Sequence, residues 1–127
     1  MAMQKHDVIV VGAGAAGLLA AGRAGSMGAR VLILEKMERP GRKLLITGKG
    51  RCNITNDADL KEFISHVHPT GNFLKPAFSR FFNKDLITFL NSQGLPTVLE
   101  RGKRYFPASG KSADVLDSLM KWVKAQD

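Results

Sequence analysis

A single cysteine, Cys52, stands in 127 residues, so no internal disulfide can form and no thiol pair can run a dithiol–disulfide cycle. Histidine is scarce too: His6, His66 and His68 are the only three, and no Cys or carboxylate set at ligand spacing completes a metal site around them. No metal is expected. Aromatic side chains are few, with one Trp, one Tyr and seven Phe. That leaves little for base stacking, and no nucleic-acid-binding module signature accompanies them. Long apolar runs are missing, so no membrane span is expected. The short segment before Val8 has no room for a signal peptide. With the lone thiol, this makes a cytoplasmic protein the expectation. Acids are outnumbered, 11 Asp and Glu against 19 Lys and Arg, for a net charge of +8. A phosphate-binding P-loop is absent as well: Thr47-Gly48-Lys49 is followed by Gly50 rather than a hydroxyl residue. Gly110-Lys111-Ser112 ends correctly, but Tyr105 stands where the first glycine is required.

What is present begins at residue 8. A buried-type apolar strand, Val8 to Val11, runs into Gly12-x-Gly14-x-x-Gly17. A helix of small residues follows, over about Ala15 to Met27, with Gly28 as its stop. A second apolar strand, Val31 to Leu34, ends on Glu35. Strand, glycine turn, helix, strand and terminal acid together are the fingerprint of adenine-dinucleotide binding. Gly12 allows the tight turn, Gly14 lets a pyrophosphate approach the backbone, and Gly17 lets the helix pack close to the strands. Ala15 and Ala16 keep the loop small while the first helical turn offers its free N–H groups to phosphate. Glu35 is placed to accept from ribose hydroxyls. An acid there repels a 2′-phosphate, so FAD or NAD fits better than NADP.

The charge is concentrated. Lys36, Arg39, Arg42, Lys43, Lys49 and Arg51 fall within sixteen residues directly after Glu35. So close to a pyrophosphate site, they are better explained by the cofactor's phosphates than by a nucleic-acid partner. Residues 38–41 form a turn. Residues 42–56 read as an extended glycine-containing loop, with a short helix at Arg42 to Leu45, and a loop of that length is usually functional. Beyond it, the pattern predicts a helix to Ser65 capped by Asn56 or Asp57 and another over Phe73 to Phe82. A third runs over Lys84 to Ser92 and stops at Gly94. Phe73, Phe78, Phe81 and Phe82 are expected to pack. Thr97 to Glu100 and Arg104 to Phe106 predict a hairpin. Ser112 is expected to cap a last amphipathic helix with Val115, Leu116, Leu119, Met120 and Val123 inward. The fold expected is α/β: a Rossmann-type βαβ unit and its loop over residues 1–56, then a helical and hairpin segment over 57–127. A doubly wound sheet needs a third parallel strand. None is visible after Glu35, so the chain is expected to be the N-terminal part of a larger FAD-binding domain, inactive alone.

The segment Gly41-Arg-Lys-Leu-Leu-Ile-Thr-Gly-Lys-Gly-Arg-Cys-Asn-Ile-Thr-Asn56, with Val8 to Glu35, resembles the BaiN/RdsA-type NAD(P)/FAD-dependent oxidoreductases, a family of bacterial flavoproteins. Arg104-Tyr-Phe-Pro-Ala-Ser-Gly-Lys-Ser112 is similar to a later family segment usually close to G-R-x-F-P, which Lys103-Arg104-Tyr105 modifies here. The resemblance covers essentially the whole chain. It implies FAD as cofactor, with NAD(P)H a candidate reductant, and electron or hydride transfer to an unknown small-molecule substrate. It implies that Arg42 and Lys43 neutralise phosphate charge. Thr47, Gly48, Gly50 and Arg51 would approach the ribityl–flavin portion, with Asn53 near the isoalloxazine, and Lys36, Gly41 and Cys52 are further cofactor-binding candidates. No catalytic residue is assigned. From the residues alone, an NAD-binding oxidoreductase domain and a non-enzymatic nucleotide-binding or interaction module stay open. Cys52, beside Arg51, reads as a packed small residue before a redox thiol.

Overall fold

The computed structural model describes residues 3–126. Strands β1 (Val8–Val11) and β2 (Val31–Leu34) pair in parallel, Val8 opposite Val31 and Val11 opposite Leu34. Helix α1 (Ala15–Ser26) makes the crossover. Its residues are nearly all Ala, Gly and Leu, which lets it lie close to its neighbours. Leu18 is fully buried beneath it, in a core shared with Leu44, Leu90, Val115, Leu116 and Leu119. Among the described residues this parallel sheet has two strands. One face lies under α1, while Ile9 and Val11 on the other are exposed.

The glycines of the helix serve packing. A Cβ on Gly17 would stand 1.9 Å from the Gly12 carbonyl oxygen, and one on Gly22 would stand 2.1 Å from the Trp122 ring. Trp122 belongs to α6 (Ser112–Lys124), which lies against α1 and crosses Phe89 edge-on at 4.7 Å. The expected inner face of α6 holds: Val115, Leu116 and Leu119 are buried, with Met120 and Val123 packed beside them. Ser112 does not cap the helix. Lys111 is the N-cap residue, and the Ser112 hydroxyl instead donates to the Leu45 carbonyl at 2.8 Å, tying α6 to α2 (Arg42–Ile46).

The second sheet is larger than the expected hairpin. The hairpin of β4 (Thr97–Glu100) and β5 (Arg104–Pro107) is present, but β5 also pairs antiparallel with a two-residue strand, β3 (Thr55–Asn56). Two polar residues carry no alternation that sequence reading can catch. The cap of α3 (Leu60–Ser65) is Asp59, whose carboxylate accepts from the Glu62 N–H at 2.8 Å, rather than Asn56 or Asp57. Asn56 turns the chain before it by accepting from the Ala58 N–H.

The helix expected over Phe73 to Phe82 is broken into a 3₁₀ turn (Gly71–Leu74) and one α turn, α4 (Lys75–Phe78). Pro76 explains the break, because proline fits only the first turn of a helix. Phe78 and Phe82 each meet Phe63 edge-on, with ring centroids 5.5 and 5.2 Å away, and pack tilted against each other at 4.9 Å. Phe73 and Phe81, expected to pack, are exposed. Asn83 is the first residue of α5 (Asn83–Ser92) rather than the residue before it. Its buried amide donates to the carbonyls of Asn56 and Ala58, both at 2.8 Å, fixing α5 to the second sheet.

Gly17→Ala tests this close packing. The added methyl meets a backbone carbonyl that cannot turn aside, so stability should fall by about 1–3 kcal/mol, the range for overpacking. Urea unfolding measures it, and a midpoint equal to wild type would refute the packing constraint.

Candidate dinucleotide site

The turn from β1 to α1 leaves helix α1 without a side-chain cap. The N–H groups of its first turn therefore point outward unpaired by any capping side chain, at the positive end of the helix dipole. Gly14, the N-cap residue, has an ordinary φ of −84°, and a Cβ built on it would meet nothing within 4 Å. So Gly14, unlike Gly17, borders open space. That space is a cleft of about 540 Å³. It is lined on one side by Gly12, Gly14, Ala15, Ala16 and Gly17, and on the other by Lys43, Thr47, Cys52 and Asn53. Two loops separated by 25 residues and more in sequence thus face one another across a single cleft.

Glu35 does not line the cleft but grips its rim. Its carboxylate accepts from the Ala13 N–H at 2.7 Å and from the Met37 N–H at 3.0 Å. These bonds, Met37's first and Ala13's second, hold the carboxyl below its usual range, so it is ionised at neutral pH. The carboxylate has acceptor capacity left for hydroxyl groups. Gly41 contributes through its backbone: its N–H donates to the Ala13 carbonyl at 2.8 Å. Its φ is +67°, and Leu116 fills the place where a Cβ would project, so the turn into α2 requires glycine.

Residues 47–53 form a tight loop in place of the extended one expected. Gly48, Lys49, Gly50 and Cys52 all have positive φ, an uncommon conformation for the two that are not glycine. The Thr47 hydroxyl donates to the Leu44 carbonyl at 2.8 Å. The Cys52 thiol is buried among apolar groups, which pushes its pKa up, against a smaller opposite effect of its Thr47 hydrogen bond. It is therefore a neutral thiol at neutral pH rather than a nucleophile. Lys36, Arg42, Gly48 and Gly50 are exposed and do not line the cleft. Arg51 does not line it either. Its guanidinium pairs with Glu100 and lies 4.2 Å over the Phe106 ring.

The missed part of the site is its wall. Leu19, Leu44, Ile54, Leu86, Leu90, Val115 and Leu119, with Val11, complete the cleft lining and make it mostly apolar. Two pairs on this wall, Leu86 with Leu90 and Val115 with Leu119, recur at i, i+4. That spacing announces a buried face but does not say whether it meets core or ligand. Among the described residues no His, Cys, Asp and Glu cluster could hold a metal ion, and no helix is long and apolar enough to cross a membrane.

Known proteins share this arrangement of sequence. The chain is 40% identical over 93 residues to the ribosomal RNA dihydrouridine synthase of Escherichia coli (strain K12), covering 73% of this chain and 23% of that protein. It is 37% identical over 119 residues to the 3-dehydro-bile acid delta(4,6)-reductase of Clostridium scindens, covering 92% of this chain and 28% of that protein. It is 38% identical over 81 residues to the thiamine thiazole synthase of Aeropyrum pernix, covering 61% of this chain and 30% of that protein. The chain thus spans less than a third of the length of each of these relatives. Residues 6–127 match the model of the HI0933-like protein Rossmann domain. The chain belongs to the HI0933-like Rossmann-domain family, the BaiN/RdsA-type group that its glycine-rich loops resemble.

Proposed function

We propose that the chain supplies the FAD-binding unit of a flavin-dependent oxidoreductase that adds two hydrogens to a carbon–carbon double bond. The observation that carries the cofactor reading is the convergence of the Gly12–Gly17 turn and the Lys43–Asn53 loop on one cleft beside an ionised Glu35. A bare βαβ unit would serve NAD equally well. The second loop favours FAD, because it extends the polar lining beyond the reach of the glycine turn. The reaction type comes from two relatives, whose names, a dihydrouridine synthase and a delta(4,6)-reductase, both describe saturation of a double bond. We read the acceptor as a small molecule, with NAD(P)H as the source of electrons and no nucleic-acid partner.

The residues present fit the cofactor. The open space over Gly14 admits a pyrophosphate, the first turn of α1 offers N–H donors, and Lys43 offers a compensating charge. Glu35 would accept from the adenosine ribose while keeping its bonds to Ala13 and Met37. The Asn53 amide offers a donor and an acceptor at the far end. FAD, when bound, supplies the electron or hydride transfer, and the protein supplies binding, orientation and electrostatics. The apolar wall of Leu19, Ile54 and Leu86 excludes water from one side of the cleft.

The purified full-length enzyme should show the absorption bands of a bound oxidised flavin, lose them on reduction by NAD(P)H, and regain them when a double-bond acceptor takes the two hydrogens. A colourless protein that binds NAD would overturn the cofactor reading. Turnover on uridine-containing RNA alone would overturn the small-molecule reading. Gly14→Val should keep the melting temperature of cofactor-free wild type, since its side chain enters open space with unstrained φ, yet purify without colour. A yellow Gly14→Val protein would mean that the phosphates lie elsewhere. Glu35→Ala should weaken FAD binding by roughly tenfold, the scale of a lost charge-assisted hydrogen bond. Equal affinity in a fluorescence titration would remove the ribose from Glu35.

A further inference from the structure

Arg51 sits in the loop that lines the cleft, but its side chain is turned away from the cleft. The guanidinium pairs with Glu100 at the end of β4, and its central carbon lies over Phe106 of β5, 4.2 Å from the ring centroid. Phe106 is buried, and its ring also meets the loop backbone: a Cβ on Gly48 would stand 3.3 Å from it and 2.8 Å from the Asn53 nitrogen. The hairpin therefore touches the loop at both Gly48 and Arg51. Between them and the cleft, four of five residues from Gly48 to Cys52 hold positive φ. Lys49 and Cys52 do so against the ordinary preference of side-chain-bearing residues. Within the loop the backbone bonds are local, as from Arg51 N–H to Gly48 and Thr47 and from Cys52 N–H to Thr47. A conformation of this kind persists only where its surroundings determine it.

We propose that Arg51 is a positioning residue, which fastens the Gly48–Asn53 loop to the β4–β5 hairpin through Glu100 and Phe106 and so sets where Cys52 and Asn53 stand in the cleft. The two contacts ask different things of the side chain. Glu100 asks for a positive charge, whereas Phe106 asks for a flat, weakly hydrated cation that can lie on a ring face. Arginine meets both; lysine meets the first. The consequence for FAD rests on the cofactor reading above, while the fastening of the loop does not.

Cys52 reports on the loop directly, because its thiol is buried when the loop is in place. In the full-length protein, alkylation of Cys52 by iodoacetamide, followed by mass spectrometry, should be slow in wild type. It should accelerate roughly tenfold or more in Arg51→Ala, the behaviour of a locally opened segment. Glu100→Gln and Arg51→Lys should fall between the two, and FAD affinity should drop in the same order. Arg30→Ala, which breaks the distant Arg30–Asp7 pair, is the control that should leave labelling unchanged. Should Arg51→Ala unfold, the graded Arg51→Lys and Glu100→Gln variants carry the test. Labelling rates equal to wild type in these variants, or equal acceleration in Arg30→Ala, would overturn the proposal. Accelerated labelling with unchanged FAD affinity would refute the positioning role while leaving the loop fastened. If the wild type takes up no FAD, the cofactor reading fails and the graded labelling alone decides the fastening.

Discussion

The peptide groups on either side of Ala13 hold the cleft in shape. The Ala13 N–H is taken by the Glu35 carboxylate at 2.7 Å, and its carbonyl by the Gly41 N–H at 2.8 Å. Ala13 itself is buried, so both bonds are sheltered at one end. Through them, three segments that meet nowhere else in sequence become one rim: the glycine turn, the end of β2 and the start of α2. The acid that closes the second strand is thus structural before any ligand arrives. Its charge is held by two backbone N–H groups, and the lowered pKa follows from that. The group stays ionised, and its contribution to the rim remains, well below neutral pH; protonation as the pH falls through its depressed pKa would weaken these bonds.

From that rim the rest of the site is built outward with little local hydrogen bonding and much packing. Gly41 turns the chain with Leu116 pressed against it, and the Ser112 hydroxyl reaches back to the end of α2. Helix α6 is therefore fastened to α2 and, through Trp122 and Gly22, to α1. The cleft lies between elements that α6 braces together. This explains why its wall is the core itself: Leu90, Val115 and Leu119 belong both to the central apolar cluster and to the lining. A ligand in this cleft would rest against residues that cannot move without disturbing the fold, which is the condition for a pre-formed site.

Much of this was legible in the sequence where local rules and global packing agree. The β1–α1–β2 unit follows from apolar strands flanking a glycine turn, and its boundaries match to within a residue. Gly12, Gly14, Ala15, Ala16, Gly17, Lys43, Thr47, Cys52 and Asn53, all drawn from the two glycine-rich motifs, line one cleft. What was not legible depends on partners far away in the chain. Arg51 reads as a phosphate or flavin ligand until Glu100 and Phe106, fifty residues on, are brought beside it. β3 is a strand only because β5 offers it an edge. Phe73 and Phe81 have the composition of core residues, but the break imposed by Pro76 turns them outward. The compact shape of residues 47–53 was hidden because Lys49 and Cys52 adopt a backbone conformation that residue type alone argues against.

The excess of positive charge divides into two physical roles. Arg30, Arg51, Lys84 and Lys103 each meet a carboxylate, so four cations are spent on joining segments of the fold. In the run after Glu35, by contrast, Lys43 lines the cleft, whereas Lys36, Arg39, Arg42 and Lys49 lie outside its lining, and all five are exposed. Exposed charges at a distance contribute little binding energy, because water and salt screen them. They do raise the local potential, which gathers anions and speeds their arrival. A pyrophosphate drawn to this rim would be gathered by the exposed group and held by Lys43 with the N–H groups of α1. For the cofactor proposed above, charge removal at Lys36 or Arg39 would then act on the association rate and its salt dependence, and charge removal at Lys43 on the lifetime of the complex.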